Sequence, residues 1–138
     1  MNAAEFQTEA LKTWTAPLRG TPEGLEYLRL GLLSEVGEVA GVLKRIIRDG
    51  WPMEVWRQKL VIELGDVAWY VAVKYEENRL AYHVDAIFMA LWGLEISSQV
   101  RARMTEANIT WPEVFDAVIA KLRSRQARGV IKGEGDNR

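Results

Sequence analysis

Residues 32–70 read LLSEVGEVAGVLKRIIRDGWPMEVWRQKLVIELGDVAWY, and the rest of the chain is organised around this stretch. Its residues 49–52, with Gly as a helix stop and Pro as a helix start, predict an antiparallel helical hairpin that turns near Gly50. Each arm carries two acids at the spacing i, i+3, which puts both carboxylates on one side of a helix. These acids are Glu35 with Glu38, and Glu63 with Asp66. Positions 35 and 66 lie level in such a hairpin, as do 38 and 63, so the two acid pairs are expected to face each other.

The rest of the chain also has helical periodicity, and no segment alternates with a period of two over a useful length. We therefore predict an all-α fold, a helical bundle of about five helices built around the hairpin. The first helix covers residues 2–15, two long helices form the hairpin from Pro22 to Asn78, a fourth covers 82–104, and the last begins at Thr110. These helices are expected to form one domain over 1–127, followed by a basic tail at 128–138 in which glycines prevent a continuous helix.

Composition limits the classes of protein to which the chain can belong. Its 138 residues, 49% of them hydrophobic, suffice for one compact core. Because 18 basic residues nearly balance 19 acidic ones, no global charge attracts nucleic acid or an anionic membrane, and neither is an expected partner. No apolar run approaches the ~20 residues of a membrane-spanning helix. Cysteine is absent and no signal peptide is recognisable, so we expect a cytoplasmic protein.

On a helical wheel, both acid pairs border the apolar stripes of their helices and do not lie on the fully solvated faces. Carboxylates that converge beside apolar surface repel one another, so a cation is expected between them. Packed helices lie ~8–10 Å apart, which lets four carboxylates surround one or two hard cations. An all-oxygen set of ligands favours Mg²⁺ or Mn²⁺, whereas Zn²⁺ prefers His or Cys.

Two interpretations of the acids are open at this point. In the first, lysines or arginines, such as Lys44, Lys59 or Lys74, neutralise the carboxylates as buried ion pairs. In the second, a carboxylate cage holds a magnesium ion with open water positions, which suits the hydrolysis of a phosphoanhydride or a phosphoester. No base recurs at matching positions on both helices, and this favours the metal.

The pattern E-x-x-E, spacer, E-x-x-D, here Glu35-Val36-Gly37-Glu38 and Glu63-Leu64-Gly65-Asp66, resembles the signature of the MazG-like superfamily of all-α nucleoside triphosphate pyrophosphohydrolases. That superfamily includes MazG proteins, dCTP pyrophosphatases and the all-α dimeric dUTPases. The words SEVGEVAG and ELGDVAWYVA agree with the resemblance, which covers roughly residues 25–78. Residues 128–138 also look like the C-terminal end of the MazG-like branch.

The resemblance implies a magnesium-dependent enzyme that cleaves the α–β phosphoanhydride of a nucleoside triphosphate and releases the monophosphate and pyrophosphate, as in nucleotide-pool housecleaning. By position, it implies that Glu35, Glu38, Glu63 and Asp66 bind Mg²⁺, for which Mn²⁺ is a possible substitute. Glu38 is also the candidate catalytic residue that orients or deprotonates the attacking water. Candidate phosphate contacts, needed to offset the triphosphate charge, are Lys44, Lys74, Asn78, Arg125, Arg128, Lys132 and Arg138.

Two further features bear on oligomeric state and partners. The segment Leu80–Asn108 is longer than the linker of a minimal relative, and we expect it to shape a base pocket or an oligomer contact. A helical hairpin with two broad apolar sides rarely buries both within so small a monomer, so a homodimer or a homotetramer is predicted to complete the bundle. The alternative to an enzyme is a non-catalytic helical dimerisation module whose acids are ion-paired.

Overall fold

Six α-helices make up the secondary structure of the part of the chain that the computed structural model describes, residues 1–15, 17–80, 82–92 and 96–129. In chain order they are α1 (Ala3–Leu11), α2 (Pro22–Asp49), α3 (Met53–Glu77), α4 (Val84–Trp92), α5 (Ser97–Glu106) and α6 (Trp111–Ala127). The predicted all-α fold is confirmed. No helix within these ranges has the length and apolar character needed to cross a bilayer.

Three of the helices begin at the capping residues that the sequence indicates. The Asn2 side chain accepts the backbone N–H of Glu5, and the Glu5 carboxylate accepts the backbone N–H of Asn2, so both halves of a capping box are present. Thr21 accepts the N–H of Gly24 at 3.0 Å. Thr110 caps α6 in the same way, through the N–H of Glu113 at 3.4 Å. Local chemistry therefore determines where these helices start.

The predicted hairpin consists of α2 and α3. α2 ends at Asp49, and Gly50 follows with φ 62°, a left-handed conformation that favours glycine. The ring of Tyr70 lies directly on the backbone of Gly31, where an added Cβ would be 2.2 Å from the Tyr70 Cε1 atom. This contact sets the register of the two helices. Glu35 and Asp66 each lie one turn farther toward the bend, so they lie level with each other.

The central helix is α3, which packs against α2 on one side and against α1 and α6 on the other. Leu60, Leu64 and Val67 are fully buried within it. Behind α3, the rings of Phe6 and Phe115 stack with their centroids 4.3 Å apart and join α1 to α6. Because α3 is covered on several sides, apolar residues occur around most of its circumference, while its acid pair borders the α2 side.

The single helix predicted over residues 82–104 is wrong, because the segment contains the two helices α4 and α5. The guanidinium carbon of Arg101 lies 3.5 Å from the centroid of the Phe88 ring. In one straight helix these residues would be roughly 20 Å apart along the axis. Folding back lets Ile87 of α4 and Val100 of α5 both become fully buried, so tertiary packing favours two short helices over one long one. The described helices thus number six, against the predicted five or so.

Candidate metal centre

Three carboxylates meet between the arms of the hairpin. Glu35 comes from α2, and Glu63 and Asp66 come from α3. One carboxylate oxygen of each lies within 4.8 Å of the others, and all three residues are partly buried. The structure therefore brings together three of the four acids that the sequence singles out, in the facing arrangement expected of the hairpin.

Glu38, the fourth acid, borders this group and is not part of it. It is partly buried, one turn beyond Glu35 on α2, and its charge contributes to raising the pKa of Glu35. The four acids thus form one electrostatic unit, with three carboxylates in close proximity and Glu38 at the edge.

The electrostatic cost of this arrangement is visible at Glu35. Burial, followed by the negative charges of Asp66 and Glu63, raises the pKa of Glu35 to about 7. The ammonium group of Lys121 partly opposes this rise in pKa. Near neutral pH the cluster therefore holds its full negative charge only if a cation offsets the repulsion.

Lys121 is the cationic residue that the sequence interpretation missed. Its Nζ atom lies 2.5 Å from Oδ2 of Asp66, and only 20% of the Lys121 side chain and 15% of the Asp66 side chain are exposed. The ammonium group comes from α6, far from the hairpin in sequence. A signal was available: Lys121 follows Val118 by three residues and Val114 by seven, which places it beside the buried stripe of α6.

A glycine brings Lys121 within reach. Gly65 is buried where α3 meets α6, and a Cβ at this position would lie 2.8 Å from the Cβ of Val118. The absence of a side chain lets the two helices approach closely. Asp66 is the next residue on α3, and Lys121 is one turn beyond Val118 on α6. Because α3 and α6 pack closely at this point, the ammonium group of Lys121 reaches the acidic cluster.

The ion-pair interpretation names Lys44, Lys59 and Lys74 as the bases that neutralise the acids, and the structure gives these lysines other surroundings. The ammonium group of Lys59 lies 5.5 Å from the centroid of the Trp51 ring, in a cation–π contact near the hairpin turn. Lys44 is exposed on α2 and Lys74 is partly buried on α3. Lys121, from α6, makes a short ion pair with Asp66 of the cluster.

An aromatic surface adjoins the cluster on the side away from the turn. The Tyr70 hydroxyl group lies 3.3 Å from that of Tyr27. Burial, the hydrogen bond to Tyr27 and the negative charges of Glu35 and Asp66 all raise the pKa of Tyr70. Tyr70 therefore stays protonated and provides a neutral hydroxyl group beside the carboxylates.

The candidate phosphate contacts are spread over the molecule. Lys44 lies toward the turn and Lys74 toward the open end of the hairpin, roughly 25 Å apart along its axis, so one triphosphate does not reach both. Asn78 turns back to donate to the carbonyl oxygen of Lys74 at 2.7 Å. Arg125 is partly buried one turn beyond Lys121, whereas Arg128 is exposed and donates to the carbonyl oxygen of Ser124. Lys132 and Arg138 lie outside the described residues.

Fold and site together define an all-α protein whose helical hairpin presents a partly buried carboxylate cluster to a lysine from the last helix. No family model matches the sequence, and no solved structure matches it. The chain is 38% identical over 118 residues to the Gene 37 protein of Mycobacterium phage L5, a similarity that covers 84% of this chain and 78% of the phage protein. It belongs to the family of that phage protein. The name "Gene 37 protein" states no activity.

Proposed function

We propose that the protein is a magnesium-dependent nucleoside triphosphate pyrophosphohydrolase, which cleaves the α–β phosphoanhydride to give a nucleoside monophosphate and pyrophosphate. The observation that carries this proposal is the convergence of Glu35, Glu63 and Asp66 within 4.8 Å between two helices. The resemblance of the E-x-x-E and E-x-x-D pairs to the MazG-like signature supplies the reaction. Housecleaning of deoxy or non-standard nucleoside triphosphates in the cytoplasm is the corresponding cellular role.

The donor set fits a hard divalent cation. It consists of carboxylate oxygens from Glu35, Glu63 and Asp66, with Glu38 at the edge, and the chain has no cysteine and a single histidine, His83, which lies elsewhere on the surface. Burial, followed by the negative charges of Asp66 and Glu63, raises the pKa of Glu35, and a divalent cation would offset that negative charge. Mg²⁺ and Mn²⁺ prefer such all-oxygen sites. When bound, such an ion supplies charge neutralisation at phosphoryl oxygens and a more acidic water.

The residues of the chain have separable tasks in this reaction. Glu38 lies one turn beyond Glu35 on α2 at the edge of the cluster, and we assign its carboxylate the task of taking a proton from the attacking water. The water oxygen forms a bond to the α-phosphorus, the bond from that phosphorus to the oxygen bridging the α and β phosphates breaks, and pyrophosphate leaves. Tyr70 offers a hydroxyl donor beside the site, and Arg125 on α6 is the candidate phosphate contact placed closest to Lys121 along that helix.

A panel of nucleoside triphosphates incubated with purified protein and Mg²⁺ tests the reaction. We expect pyrophosphate release from at least one triphosphate and a decrease in kcat of about 10²–10⁴-fold in Glu38→Gln, the range expected for loss of a general base. Glu26→Gln, an exposed acid on the same helix whose partner is Arg29, is the matched control and should retain full activity. No release from any triphosphate would exclude the reaction, and full activity in Glu38→Gln would exclude the role given to Glu38.

The second candidate is a non-catalytic helical interaction module, which the ion pair between Lys121 and Asp66 favours. In this case the acids are neutralised within the protein and need no metal. Calorimetry and thermal denaturation with Mn²⁺ distinguish the two candidates. The enzyme predicts heat of binding and a rise in Tm, whereas the module predicts neither.

A homodimer or homotetramer is part of the proposal. Leu30, Leu33 and Ile47 are 61–77% exposed on a side of α2 away from the core, and Gly37 and Gly41 on the same side have open space above them. Exposed apolar side chains beside small residues suit close packing against another helix. Sedimentation at micromolar concentration should show a dimer or larger species, and a monomer would contradict this part of the proposal.

A further inference from the structure

We propose, on the basis of the metal centre proposed above, that Lys121 is the internal counter-cation of the acidic cluster. Its ammonium group occupies the cluster in the metal-free protein and leaves Asp66 when a divalent cation binds. Lys121 is thus a competitor, built into α6, that sets the affinity of the site for metal.

The position of the ammonium group supports this assignment. The 2.5 Å contact between Nζ of Lys121 and Oδ2 of Asp66 involves two side chains that are 80% or more buried, so it differs from the exposed ion pairs elsewhere on the surface. The contact of Gly65 with Val118 holds the backbones of α3 and α6 together at this point. The backbone from which the Lys121 side chain extends is therefore fixed relative to the carboxylates.

The flexibility of the lysine side chain permits its departure. The ammonium group is carried by a flexible four-carbon stem and pairs with the carboxylate of Asp66. Lys121 is also partly exposed, so the group can swing toward solvent or toward a bound anion without unpacking α6. A planar guanidinium group with paired hydrogen bonds would be held more tightly.

Charge balance explains why a divalent cation displaces the Lys121 ammonium group from the cluster. One ammonium group offsets a single unit of the negative charge on the Glu35, Glu63 and Asp66 cluster. A divalent cation offsets two units and accepts several carboxylate oxygens at once. Because the ammonium group and the metal carry like charges, they repel each other at this distance. Metal binding therefore displaces Lys121, and that displacement weakens the apparent affinity of the wild-type protein for metal.

Titration of the full chain with Mn²⁺, followed by calorimetry, tests the competition directly. We expect Lys121→Met to bind Mn²⁺ at least about tenfold more tightly than the wild type, the change expected when one charge-assisted hydrogen bond no longer competes. The matched control is Arg123→Met, which removes one positive charge from the same helix at a residue paired with Glu9 on the surface. Its affinity should stay within about twofold of the wild type.

Each result has a distinct meaning. Unchanged or weaker binding by Lys121→Met, with the wild type binding Mn²⁺, overturns the competitor role and leaves the proposed enzyme intact. Binding by neither protein overturns both the competitor role and the proposed metal centre. Binding by Lys121→Met alone supports the competitor role and contradicts a metal-dependent wild-type enzyme.

A second measurement uses the wild-type chain and does not depend on how well the variant folds. In protein labelled with ¹⁵N at lysine Nζ, the Lys121 ammonium signal should be that of a hydrogen-bonded group without metal and should shift on saturation with Mg²⁺. Calorimetry on the same sample establishes that Mg²⁺ is bound. An unshifted Lys121 signal in the metal-bound protein overturns the displacement.

Discussion

Replacing Glu35 with Gln tests whether the acidic cluster is under electrostatic strain in the absence of metal. Burial and the charges of Asp66 and Glu63 raise the pKa of this carboxyl group from 4.5 to about 7. Between these two values the folded protein keeps a proton that the unfolded chain has released. The free energy of unfolding therefore falls as the pH rises from about 4.5 to about 7, and it stays low at higher pH.

The size of this effect follows from the shift in pKa. A difference of about 2.5 units corresponds to roughly 3 kcal/mol at most, and the partial exposure of the group reduces this to about 1–2 kcal/mol. Glu35→Gln removes the ionisable group and with it this loss of stability. In EDTA, the variant should therefore lose about 1–2 kcal/mol less than the wild type between pH 5 and pH 8.

Urea denaturation at the two pH values, followed by far-UV circular dichroism, measures this difference. The exposed Glu26→Gln variant serves as the control and should follow the wild type at both pH values. At pH 8, Mn²⁺ at 100 times its Kd should stabilise the wild type by about 2.7 kcal/mol and the Glu35→Gln variant by much less. Identical pH dependence of the wild type and Glu35→Gln in EDTA would refute the electrostatic reasoning.

Two further substitutions test the packing that supports the site. Gly65→Ala places a Cβ 2.8 Å from the Cβ of Val118 and should lower the free energy of unfolding, measured by urea denaturation, by about 1–3 kcal/mol. An unchanged free energy of unfolding would contradict the close packing of α3 against α6. Arg57→Met removes a paired contact with Glu113 at 2.6 and 2.9 Å and should lower the Tm. Because Arg57 lowers the pKa of Glu113, the stability from this pair is present above about pH 4.5 and is lost as the pH falls through the lowered pKa, so the difference in Tm between Arg57→Met and wild type should shrink in acid. A constant difference in Tm at all pH values would contradict the ion-pair contribution.

Much of the fold was predictable because it depends on local chemistry. Thr21 and Thr110 each accept a backbone N–H at the start of a helix, and Gly50 adopts the left-handed conformation that ends α2. Such signals act over a few residues, so the sequence reveals them directly. The prediction of one helix over 82–104 failed because nothing local indicates that Phe88 and Arg101 come into contact.

The acidic cluster was predictable from the sequence only in part. The spacing of Glu35 and Asp66 about the turn at Gly50 predicts that they lie level, because residues at equal distances from the turn of an antiparallel hairpin lie opposite each other. The resemblance to MazG-like proteins adds an expected chemistry for these acids. The pKa of Glu35 depends on the tertiary structure as well, because burial raises it and Lys121 from α6 partly opposes the rise.

By itself, then, the sequence determined the helical class, the hairpin and the identity of the acids that it brings together, because periodicity, caps and turn residues act locally. Only the tertiary structure decided which cation faces those acids. Lys121 reaches Asp66 from 55 residues away because Gly65 and Val118 let α3 and α6 approach closely. Such a contact depends on how two helices pack, and the spacing of charges along one helix does not encode it.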